Sequence, residues 1–237
     1  MLLTGCSTAV DWLERQGAMG GGAAGLGRDQ IVLGLREALR FGVDHAVSTL
    51  GRDGGFLRNL DVRITTPETL RPVEQTLRTL GQGPLVDEFH AAMNRAAERA
   101  VPEAADVLLA SIQQLAFFDA ERILRGKNTE ATDFFRRTSQ VALHERFLPI
   151  IKEATTQTGV TAAYKRMTSS PGVGVLSETV LGRKVPDLDD YVTEKALDGL
   201  FLKIAEQEKL IREDPAARTT ELLRRVFGAV TRQPSAN

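Results

Sequence analysis

Apolar residues recur along this chain at the spacing of helices rather than strands. Leu197, Leu200, Phe201, Ile204 and Ile211 form one stripe of a long helix beginning near Asp189. Ile31, Leu35, Ala38, Leu39 and Val43 do the same in a helix predicted from Asp29, read as its N-cap, to Leu50. A third stripe, Leu85, Phe89, Ala92, Met93, Ala96 and Ala100, is rich in alanines that let a neighbouring helix approach closely. Glycine and proline punctuate the pattern. Gly51, Gly81, Gly126, Gly159 and Gly228 read as helix stops, while Pro67, Pro84, Pro102 and Pro215 read as restarts.

Between these marks the spacing predicts helices over 66–80, 84–100, a continuation to about 115, 118–124, and 128–157 with Asn128 capping and Pro149 kinking it. One more turn is predicted over 162–167. The Asp214-Pro215 step breaks the last long helix, which restarts over 216–227. Residues 52–66 lack helical period and read as a loop with a short extended piece at 62–64; residues 169–186 read as a surface loop. The result is an all-α, single-domain bundle of about seven helices, with at most one short β-ribbon joining the Val62 region to 182–185.

One charge interrupts the longest stripe. Glu208 falls in angle between Leu197 and Phe201, inside the apolar arc, so it is expected to be mostly buried and held by a cation. Arg218, Arg136 and Arg137 are the candidate partners.

Composition narrows the function more than it names it. With 30 basic and 31 acidic side chains the formal net charge is −1, which leaves no cationic excess for binding nucleic acid. Only 5% of the 237 residues are aromatic, and the apolar 42% consists largely of alanine and leucine, which suits close-packed helices. The single cysteine, Cys6, excludes an internal disulfide. Its setting Leu3-Thr4-Gly5-Cys6-Ser7 resembles a bacterial lipobox, and the five residues before it are too few for an export signal, so a truncated signal sequence is expected. Residues 17–27 hold six glycines in eleven and read as a flexible tether. Within them Gly20-x-Gly22-x-x-Gly25 matches a dinucleotide fingerprint in form, but no strand precedes it, so no nucleotide cofactor is expected. The division is thus 1–28 anchor and tether, 29–228 helical domain, and 229–237 disordered tail.

The three histidines, His45, His90 and His144, sit on separate predicted helices without metal-ligand spacing, and Asp87-x-x-His90 has no second copy. No metal or other cofactor is expected. Asn94 and Glu98 lie four apart on the face opposite the alanine stripe, with Arg95 nearby; Glu194 and Asp198 repeat the spacing beside Tyr191 and Lys195. Arg136, Arg137 and Arg218 come from other helices. Such residues are either surface pairs and inter-helix staples or the lining of a polar groove, where arginine suits an anionic or amphipathic ligand.

Three blocks carry a resemblance: MNRAAERAVPEA at 93–104, Phe134-Phe135-Arg136-Arg137-Thr138, and YVTEKALDGLF with EDPAARTTELLRRVFG near the C-terminus. Together they resemble the bacterial domain-of-unknown-function 4197 family over roughly 29–228. The resemblance implies a lipoprotein-like envelope protein with no assigned activity. Export to the periplasm, acylation of Cys6 and membrane attachment only through that anchor are expected. The favoured reading is a non-enzymatic domain binding a partner protein or an amphipathic or anionic ligand at an inter-helix groove. The rival is a hydrolase or transferase using a carboxylate of the Glu98 or Glu194 cluster; an enzyme would leave such a carboxylate unpaired in a partly dry pocket.

Overall fold

The computed structural model describes residues 27–157 and 187–230. Cys6, the tether, the extra turn at 162–167, Gly159, the 169–186 loop and the tail after 230 lie outside the described residues. Within them the fold is all-α, with no strand. Eight α-helices follow in order among the described residues: α1 (Arg28–Leu50), α2 (Arg71–Thr79), α3 (Gly83–Ala100), α4 (Ala104–Gln113), α5 (Phe117–Arg125), α6 (Glu130–Thr156), α7 (Leu188–Glu213) and α8 (Glu221–Val230).

The long helices α1, α6 and α7 supply most of the core. α7 packs most extensively on α6 and then on α1, while α3 lies against α6. The predicted stripe of α7 is buried at all five positions, as is that of α1 from Leu35 onward. Close approach depends on two glycines. A Cβ on Gly34 of α1 would meet Val226 of α8 at 2.7 Å, and one on Gly199 of α7 would meet the Phe56 ring at 2.8 Å.

Several sequence expectations are corrected. Val86, not Leu85, faces inward on α3, because at about 100° per residue Val86 lies about 20° from the fully buried Met93 and Leu85 about 80° from it. Asp29 lies in the first turn of α1, whose N-cap is Gly27. α6 is capped at Thr129 rather than Asn128, whose side chain instead donates to Glu213 at 2.7 Å. After Asp214, the chain makes a 3₁₀ turn over Pro215–Ala217 before α8 begins at Glu221, and Gly228 sits inside α8 rather than ending it. Pro149 is inside α6 as predicted, on an exposed face where water can reach the carbonyl that lost its amide partner. Gly81 ends its helix in the left-handed region with φ 77°, the geometry that glycine tolerates best.

Candidate functional site

The charged residues singled out in the sequence divide by burial into two groups. The buried group does structural work. Asn94 is fully buried; its Oδ1 accepts from Ile64 N–H at 2.8 Å, and its Nδ2 donates to the Ile64 carbonyl at 2.8 Å and the His90 carbonyl at 2.7 Å. One turn on, Glu98 is 5% exposed, and its Oε1 accepts from Phe56 N–H at 3.0 Å and Leu57 N–H at 3.2 Å. The expectation of an outward polar face is therefore corrected. The irregular 52–66 segment lies over that side of α3, and its buried amides need acceptors that no regular structure supplies.

Glu208 is also buried, and its cation is Arg212, four residues on in the same helix, rather than Arg218, Arg136 or Arg137. Arg212 Nη2 lies 2.8 Å from Glu208 Oε1, with both side chains under one-tenth exposed. The two carboxylate oxygens accept from Ala131 N–H and Thr132 N–H, each at 2.9 Å, and from the Thr132 hydroxyl at 3.0 Å. These amides belong to the first turn of α6, whose own N-cap makes no side-chain bond, so Glu208 caps α6 from across the core. Arg212 in turn donates to the Ile123 carbonyl at 2.6 Å and the Leu124 carbonyl at 3.3 Å, at the end of α5. Arg218, 6% exposed, donates to the Ile211 and Arg212 carbonyls at 2.9 and 2.8 Å and closes the end of α7. The i, i+4 spacing of Glu208 and Arg212 was visible in the sequence; the two helix ends they meet were not.

Part of the exposed group gathers along one side of the α6–α7 pair. Arg136, Glu194 and Asp198 line a groove of about 580 Å³ together with Gln140, Val141, His144, Glu145 and Leu197. Arg136 Nη1 is 3.5 Å from Asp198 Oδ1, and its guanidinium lies over the Phe201 ring at 4.6 Å. Lys195 reaches the other oxygen of Asp198 at 3.5 Å. His144 Nε2 stands 3.5 Å from Asp190 at one end. Leu197, nearly fully buried, forms apolar floor, while Val141 is 74% exposed. Sequence reasoning missed His144, Glu145 and Val141, because only the α6–α7 register places them opposite Glu194.

The remaining candidates lie elsewhere. Arg95 and Arg137 are exposed and do not line this groove. The Tyr191 hydroxyl donates to the Thr65 carbonyl at 3.0 Å, and burial raises its pKa. On α2 and α3, His90 Nε2 is 2.7 Å from the Thr66 hydroxyl and 3.5 Å from Glu74. Burial lowers the His90 pKa against the pull of the Glu74 charge. Burial alone would raise Glu74, but hydrogen bonds from Thr66 and Arg78 outweigh it and its pKa is lowered. Among the described residues, no group of three His, Cys, Asp or Glu side chains could hold a metal ion, and no helix is long and apolar enough to cross a membrane.

A family model described as protein of unknown function (DUF4197) matches residues 25–228. The chain belongs to the DUF4197 family. No curated protein and no solved structure matches it. In this DUF4197 protein the three resembling blocks fall on α3, α6 and the α7–α8 corner. Asn94, Glu98, Glu208 and Arg218, all within or between those blocks, are buried in the bonds described above.

Proposed function

We propose that this DUF4197 protein is a non-enzymatic, membrane-tethered envelope domain that binds a partner protein or an amphipathic ligand in the groove between α6 and α7. The observation that carries this reading is the groove itself: an open trough with an apolar floor and charged rims from two rigid helices. The buried carboxylates support binding over catalysis. Glu98, Asp189 and Glu208 each accept hydrogen bonds from backbone amides or hydroxyls, Asp189 from Thr155 at 2.6 Å, so their oxygens hold the fold together. The tether rests on the lipobox-like Cys6 and the glycine-rich stretch after it.

Photo-crosslinking tests the groove. A benzophenone side chain at position 141 of the natively expressed protein should give an adduct in its own envelope, whereas one at the exposed Leu80 should not. No adduct from position 141, or equal adducts from both, would overturn the reading. Intact mass of the same material should show acylation at Cys6, and an unmodified Cys6 would remove the tether.

A further inference from the structure

We infer that the occupant of the α6–α7 groove is a basic amphipathic segment of a partner protein, an inference that rests on the groove being the binding site. The lining holds one obligate cation, Arg136, against three carboxylates, Glu145, Glu194 and Asp198. That cation is already engaged: it pairs with Asp198 and stacks on Phe201. The other arginines that an anionic ligand would need are turned to other uses or places, Arg218 into the carbonyls that end α7 and Arg95 and Arg137 outside the lining. Glu145 on α6 and Glu194 on α7 are exposed on opposite helices and make no ion pair among the described residues. A cation between them therefore finds two carboxylates. Beside it, Val141, largely exposed, offers apolar surface to the other face of the same segment, with the nearly fully buried Leu197 beneath. A helix with lysine or arginine on one side of an apolar stripe satisfies both features at once.

The probe is a fluorescein-labelled lysine–leucine peptide of about fourteen residues, roughly four helical turns, with a glutamate–leucine peptide of the same pattern as its counterpart. Binding to the full chain is read by anisotropy at low and high salt. The lysine peptide should bind and weaken with salt, and the glutamate peptide should not bind. The double variant Glu145→Gln/Glu194→Gln should weaken lysine-peptide binding by about fivefold, from two exposed ion pairs of ordinary strength. A control of equal charge change on exposed positions away from the groove, Glu88→Gln/Glu103→Gln, should change it by less than about twofold. Tighter binding of the glutamate peptide, equal effects of the two double variants, or no binding of either peptide would overturn the inference. An adduct from position 141 combined with no peptide binding refutes the basic partner and leaves the groove; absence of the adduct refutes both.

Discussion

The two halves of α7 carry similar charges and use them in opposite ways. Toward the N-terminus, Asp190, Glu194, Lys195 and Asp198 are exposed, and the ion pairs of Asp190, Lys195 and Asp198 stand at 3.5 Å. Toward the C-terminus, Glu208 and Arg212 are buried, and each closes the end of another helix. Exposed pairs at the longer distance are screened by water and hold little energy, and Glu194, which has no ion pair among the described residues, keeps its charge open to a ligand. Buried ones have lost their hydration and are stable only while every partner is present. Spacing of i, i+4 does not separate these two uses; what the helix lies against does.

The comparison breaks most sharply at Glu208. Replacing it by alanine leaves Arg212 buried without its carboxylate and the first turn of α6 uncapped, and should cost about 3 kcal/mol, whereas Glu194→Ala should stay within about 0.5 kcal/mol. Chemical denaturation of the two variants checks this. Equal midpoints would show that the buried half is not held by its charges.

A smaller effect is expected where a neutral side chain does the holding. Asn94→Ala strands the Ile64 N–H and carbonyl in the core and should cost roughly 2 kcal/mol. The 52–66 segment should then be cut by protease before the helices are, and an unchanged cleavage pattern would argue against the clasp.

His90 lies between the two extremes, half-buried on α3 and facing Glu74 and Arg78 of α2, with Asp87 on its own helix and Arg63 from the preceding loop. Burial keeps its folded pKa below the ordinary value of 6.5. The folded state therefore binds fewer protons than the unfolded chain, so this contribution is complete above pH 6.5 and is lost as pH falls through the lowered value. Glu74, lowered from 4.5, has the same sign: its contribution is present above 4.5 and is lost at lower pH. Denaturation midpoints of the wild type should decline on acidification below 6.5, and His90→Gln should flatten that decline. Parallel curves would remove His90 from the account.

These cases show what the sequence could reveal. Helix positions followed from periodicity and from Gly/Pro punctuation, since both are local. The burial of Glu208 was also legible, because its angle in the stripe is local. Its partner is not legible in the same way: the stripe points equally to arginines of other helices, although Arg212 stands one turn away. Asn94 and Glu98 look like surface residues in the sequence because the loop that covers them has no periodic signal, and Val86 rather than Leu85 faces inward because it lies about 20° from Met93 around the helix, against about 80° for Leu85. The groove is only half legible: Glu194 and Asp198 stand out by spacing and Arg136 by the block it lies in, but Glu145 and Val141 join them only through the pairing of α6 with α7.

The division of α7 is tested most directly by following backbone amides of the full chain by NMR while the lysine–leucine peptide is added. Shifts should concentrate in 136–145 and 190–198, and the amides of Ala131 and Thr132, held by Glu208, should not move. Shifts centred on 204–218, or spread without focus over the surface, would contradict the account.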